Sequence, residues 1–134
     1  VTGGTGAARP LANLRDLLSP KPRDHGGTGT ILAHRIFARG EGAGAGFIDL
    51  AVLPPGTSIG RHRHGHDRET YVVLSGSGVM YRDGEAFRVE AGDVVPNEPF
   101  GEHGLSNDTD TELALLVFEV EADDRRDPHG DPAR

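Results

Sequence analysis

From Thr30 to Val120 the chain is written in short runs of apolar or alternating residues, each closed by a turn signal, and this rhythm restricts the fold more than any other feature. ILAHRIFA is the first run, GEGAGAG a turn and FIDLAVLP the second. Thr57–His64, Glu69–Leu74, SGSGVMYR and EAFRVE follow, the last two joined by Asp83-Gly84, a pair that tolerates the positive φ of a two-residue hairpin. ELALLVFEV closes the series and reads as a final strand buried on both faces. Many short strands at close spacing predict an all-β, antiparallel sandwich or barrel. With 134 residues and no internal repeat, one domain with one core is expected.

The ends read differently. Residues 1–29 are expected to be a flexible segment and packing arm, 30–121 the barrel, and 122–134 a charged, disordered tail. Within the arm, Leu11, Leu14, Leu17 and Leu18 have helical spacing and Pro20 is a stop signal, which gives one or two turns packed on the barrel. The competing reading is an extended strand that docks on a partner subunit, because so short a helix is marginal alone. Lys21–Gly29, rich in proline and glycine, reads as a loop.

The chemistry is concentrated in Gly56–Gly76, GTSIGRHRHGHDRETYVVLSG. In a strand, side chains alternate with period two, so His62 and His64 share one face while Arg61 and Arg63 take the other. Gly65 allows a break, and the return run that starts at Glu69 brings a carboxylate back beside the imidazoles. Neutral imidazoles and an ionised carboxylate suit one divalent ion per chain, drawn from Zn, Fe, Ni, Mn or Co. His103, in EHGLSN, is the best candidate for a further ligand.

This spacing resembles the cupin superfamily. The first cupin motif, G-x5-H-x-H-x(3,4)-E-x6-G, is matched at Gly56, His62, His64, Glu69 and Gly76, and the second is matched at Gly92, His103 and Asn107. Glu98 and Phe100 stand where the second motif has Pro and Gly, with Pro99 and Gly101 one place later, so the loop before His103 is expected to be built differently. The resemblance covers roughly residues 45–120. It implies a small antiparallel β-barrel, or jelly roll, with His62, His64, Glu69 and His103 around one metal. It also implies that Glu69 is either a permanent ligand or a group that swings off as a base.

Other residues are weighed against ordinary packing. His66 continues the parity of His62 and His64 and is a candidate for contact with metal or substrate. Asp49 shares a face with Phe47 and Ala51 and is a candidate inward carboxylate. Tyr71 and His34 sit at strand positions that read as structural but can line a pocket, and Phe100 lies in the Glu98–Gly101 rim. His25 and His129 fall in loop or tail and are assigned no role.

Three functions are compatible with such a site. A dioxygenase-type oxidoreductase would chelate an oxygenated substrate beside bound O2, and it is the reading taken first. A Lewis-acid isomerase, epimerase or cyclase would use the same ion without redox. A binding module for sugar-like small molecules needs no turnover. In each case the partner is a small molecule. The net charge of −7 argues against nucleic acid and anionic membrane, and no helix-turn-helix segment is evident. No apolar run reaches the roughly 20 residues that span a bilayer, and the opening residues lack a basic stretch followed by an apolar one. The absence of cysteine excludes disulfides and thiolate sites and fits a cytoplasmic setting. Sheet edges and the arm suggest a homodimer formed by sheet packing or strand exchange.

Overall fold

Alternation along the strands decides which side chains meet, and in this chain it assembles two antiparallel sheets face to face. The structure, a computed structural model, describes residues 12–37 and 45–120. Helix α1, Leu14–Leu17, is a single turn capped by the Asn13 side chain, which accepts from the Arg15 N–H at 2.9 Å. The strands are β1 (Ser19–Pro22), β2 (Thr30–Phe37), β3 (Ala45–Leu53), β4 (Ser58–Arg63), β5 (Arg68–Ser75), β6 (Ser77–Arg82), β7 (Glu85–Glu90), β8 (Val94–Asn97), β9 (Glu102–Ser106) and β10 (Leu113–Val120). A 3-10 turn, Asp24–Gly26, lies between β1 and β2. Six strands form one sheet in the order β1-β2-β3-β10-β5-β8, and four form the other in the order β4-β9-β6-β7. This is the jelly-roll arrangement that the motif resemblance implies.

The core lies between the sheets. Leu53, Val73, Leu113 and Leu115 enter it from the larger sheet, and Ile59, Met80, Val89 and Leu105 from the smaller. Each buried aliphatic side chain contributes about 1.5–3 kcal/mol, and with no cysteine in the chain this burial, not a covalent bridge, holds the sheets together. β10 pairs with β3 on one side and β5 on the other, but the expected burial on both faces is not met: Leu113, Leu115 and Val117 are buried, whereas Leu116 and Phe118 on the opposite face are half-buried. The Asp83-Gly84 hairpin also forms, with φ of 48° and 87° and Arg82 opposite Glu85.

The arm departs from the sequence reading. Its helix is one turn long, and Pro20, expected to stop a helix, lies instead inside β1 opposite Leu32 of β2. β1 is an edge strand, where a missing N–H costs nothing if it points away from the neighbour. The extended alternative therefore applies, but β1 pairs with the chain's own sheet. Lys21–Gly29, read as a loop, contributes the end of β1 and the 3-10 turn. Residues 1–11, most of the GEGAGAG turn and the 122–134 tail lie outside the described residues.

Asn107 of the second motif serves the fold. Its buried amide donates to the Leu53 and Thr111 carbonyls at 2.8 and 2.7 Å, and its Oδ1 accepts from the Thr109 N–H and hydroxyl at 2.9 and 2.7 Å. It thus ties the β9–β10 connection to the end of β3. Gly76 fills a similar need: its φ is 82°, and a Cβ there would strike the Glu112 carbonyl.

Candidate metal centre

A β-bulge aims the two histidines of the first motif inward. Ile59 of β4 pairs with Leu105 of β9 and His62 with His103, so Gly60 and Arg61 together face the single Gly104. One extra residue reverses the alternation. Ile59 points into the core, and after the bulge the even positions His62 and His64 face inward while Arg61 turns out to cover the Tyr81 ring at 4.1 Å. Gly104 makes the bulge possible, since a Cβ there would already lie 3.1 Å from the Ile59 carbonyl oxygen and the Arg61 nitrogen. Glu69 reaches the same space from β5, on the face of Tyr71 and Val73, and His103 reaches it from β9.

One ligand atom from each of His62, Glu69 and His103 lies within 4.8 Å of the others. The His62 Nδ1–H donates to the Gly60 carbonyl at 2.8 Å, which leaves Nε2 with a free lone pair. The His103 Nε2–H donates to Glu69 Oε1 at 2.8 Å, and His103 is fully buried. The His64 ring lies 5.0 Å from that of His103, beside the group of three and not within it. Both ring nitrogens of His64 and Nδ1 of His103 are buried without a hydrogen-bond partner among the described residues. Buried polar atoms left in this way are costly unless something binds them. The donor set of imidazoles and one carboxylate, with lone pairs otherwise unsatisfied, fits a borderline divalent ion. Such an ion would replace the His103–Glu69 hydrogen bond, with the Nε2 proton passing to Nδ1 of the same neutral ring.

The loops around the centre are laced together. The Glu98–Gly101 rim, where the motif departs from its usual form, closes with a Gly101 N–H to Glu98 carbonyl bond of 3.1 Å, and Phe100 adopts φ 66°. The Phe100 N–H donates to the Gly65 carbonyl at 2.8 Å, the His64 N–H to the Gly101 carbonyl at 3.3 Å, and Arg63 to the Phe100 carbonyl at 2.7 Å. The rim is therefore bonded to the loop that follows the two motif histidines.

A cavity beside the centre is lined by residues that include Lys21, Asp24, His25, Arg35, Asp49 and Tyr71, together with His62 and Glu69. Asp49 faces inward and accepts two bonds from Arg35, at 2.7 and 2.9 Å. Tyr71 is buried with its ring 5.3 Å from His103. Burial and the carboxylates of Glu69, Asp24 and Asp49 raise its pKa well above the ordinary value. His34 alternates with Arg35 on β2 and is absent from this wall, and His66 is exposed, packing edge-on against Phe100 at 5.0 Å. Sequence reasoning missed several neighbours. His25, dismissed as a loop residue, stacks on His62, and Asp24 and Lys21 join the wall only because the arm folds back. Glu119 had a legible signal: it shares the parity of Leu113, Leu115 and Val117, is buried, and stands opposite Glu69 in the register.

A family model described as a cupin domain matches residues 49–119. The oxalate-binding protein of Thermotoga maritima is 33% identical over 93 residues, which cover 69% of this chain and 77% of that protein. Polyketide synthase CurC of Streptomyces cyaneus is 35% identical over 81 residues, 59% of this chain and 51% of that protein. Among solved structures, a predicted oxalate decarboxylase from Thermotoga maritima superposes with a TM-score of 0.74 at 27% identity, covering 78% of this chain and 92% of that one. A cupin 2 conserved barrel domain protein from Salinispora arenicola gives 0.66 at 26% identity, covering 89% and 92%. No described helix is long and apolar enough to cross a membrane.

The titrating groups of the centre act in one direction. Burial, reinforced by His103, pushes His62 and His64 below the ordinary imidazole value of 6.5, outweighing the Gly60 carbonyl bonded to His62 and the Glu69 carboxylate near His64. Burial would raise Glu69, but its bond to His103 and the nearby imidazoles outweigh burial and hold it below 4.5. Each group binds its proton less readily in the folded chain than in the unfolded one, so the stability they supply is complete above pH 6.5 and is lost as the pH falls through their folded values. Thermal melts of the metal-free chain should therefore show a melting temperature that declines steadily from about pH 7 to about pH 4. A flat profile over that range would contradict the assignment.

Proposed function

Because the chain belongs to the cupin family, we propose that it holds one divalent metal ion on His62, His64, Glu69 and His103 and uses it to bind a small, oxygen-rich organic acid as ligand or substrate. The convergence of His62, Glu69 and His103 beside a cavity carries this reading. His64 completes the set through its unsatisfied buried nitrogens next to His103. When bound, the ion supplies Lewis acidity and open positions for oxygen donors of the ligand.

The acid is favoured by the charge of the wall. Of the ionised side chains that line the cavity, Lys21 and Arg35 are cationic and Asp24, Asp49 and Glu69 anionic, so the wall is negative by one until a divalent ion makes it positive by one. An anion then completes the balance. The names of the Thermotoga maritima relatives, an oxalate-binding protein and a predicted oxalate decarboxylase, support the same class. Oxygen-dependent chemistry at an iron ion remains the second reading and is supported by the donor set alone.

We also assign a homodimer to the outer face of the six-stranded sheet. Leu74 and Val94, on adjacent strands, are 50% and 59% exposed, and they continue through half-buried Val72 and Leu116, which are paired in register. A connected apolar patch of this kind is a typical site of self-association.

Metal content per chain, measured by mass spectrometry of untagged protein, should fall sharply in His62→Ala, His64→Ala and His103→Ala and stay at the wild-type level in His129→Ala. Equal content in all four removes the metal centre. In the metal-loaded protein, Arg35→Ala should weaken oxalate binding about 10-fold by calorimetry, and Asp49→Asn, which releases Arg35, should tighten it. Unchanged affinity in both variants argues against an anionic ligand. Leu74→Glu should shift the sedimentation coefficient from dimer to monomer; a monomeric wild-type chain rules the dimer out.

A further inference from the structure

We infer that His25, on the arm outside both motifs, is a positioning residue for the metal ligand His62. This rests on the reading of His62 as a ligand. The His25 and His62 rings are stacked, with centroids 3.6 Å apart and planes within 9°. His62 is thereby held on three sides: its Nδ1–H is bonded to Gly60 at 2.8 Å, His25 covers one face, and the His103 ring stands 4.4 Å away at 64°. The ring is thereby fixed where one of its nitrogens lies within 4.8 Å of ligand atoms of Glu69 and His103.

The backbone that delivers His25 is unusual. Arg23 and His25 both take left-handed conformations, with φ of 50° and 49°, although each carries a Cβ. Such conformations persist only where the surroundings over-determine them, and they cluster at functional sites. Here the turn is closed by the Gly26 N–H to Arg23 carbonyl bond of 2.9 Å and the Gly27 N–H to Asp24 carbonyl bond of 2.8 Å, and Lys21 pairs with the buried Asp24 at 3.0 Å. The turn also touches β4 backbone to backbone. A Cβ on Gly27 would strike the Ser58 carbonyl, and one on Gly60 would strike the His25 carbonyl. The carbonyl that orients His62 thus belongs to the residue against which the turn is pressed. Among the described residues His25 has no comparable polar anchor, since Asp24 Oδ2 lies 3.9 Å from its Nε2, beyond hydrogen-bond range. Its ring orientation is accounted for by the stack and the strained backbone.

Groups that orient a metal ligand typically change affinity 10- to 100-fold when removed. The test is Co(II) affinity of the full chain, measured by chelator competition, together with the visible spectrum of the bound ion. His25→Gly relieves the left-handed backbone while deleting the ring, so it should retain the fold by circular dichroism yet weaken Co(II) binding about 10-fold. His25→Ala should weaken it similarly, and His25→Phe, which restores an aromatic face without a nitrogen, should recover affinity and the wild-type spectrum. Wild-type affinity in the Gly and Ala variants overturns the inference, and so does a Phe variant no better than Ala. His62→Ala separates the two readings. If it binds Co(II) normally, the metal centre itself is wrong; if it loses binding while the His25 variants do not, only the role of His25 fails.

Discussion

One extra residue in β4 sets the direction of every side chain that follows it in that strand. Ile59 must enter the core, where an apolar side chain is worth about 1.5–3 kcal/mol. Without the bulge opposite Gly104, that parity would carry Arg61 and Arg63 inward and leave His62 and His64 in solvent. The bulge lets one strand serve the core and then the site. Several glycines and bonds support it: Gly104 gives the backbone room, Gly60 accepts the His25 carbonyl against its α-carbon, and the Gly60 carbonyl takes the His62 proton.

The candidate centre costs some stability. Imidazole nitrogens without partners among the described residues are unfavourable in a dry interior. The surrounding structure compensates with apolar burial between the sheets and with rim bonds that link the two motif loops. An ion held at the proposed centre would satisfy the same atoms that are otherwise costly, which would link affinity to site geometry. The arm contributes by stacking His25 on the candidate ligand His62 and by placing Asp24 and Lys21 in the cavity wall.

Much of the fold was legible. Period-two alternation and the Asp83-Gly84 turn located the strands from β2 to β7, and an apolar run located the last strand, because a half-buried sheet imposes those patterns locally. The arm was not legible in the same way. Pro20 and Pro22 read as breakers, and only their position on a sheet edge makes them compatible with β1. Asn107 matched a motif beside a candidate ligand, yet its four side-chain hydrogen bonds go to the chain connecting β9 and β10 and to β3.

The sequence by itself determined the chemistry available: two imidazoles at strand spacing, a carboxylate shortly after them, a further imidazole at His103, and no thiols. Those properties follow from residue identity and local period. Only the tertiary structure decided which groups meet. The bulge is visible only against its partner strand, Arg35 and Asp49 pair because β2 and β3 are in register, and His25 reaches His62 because the arm folds back over β4. Each of these depends on contacts between residues distant in the chain, and no local period encodes them.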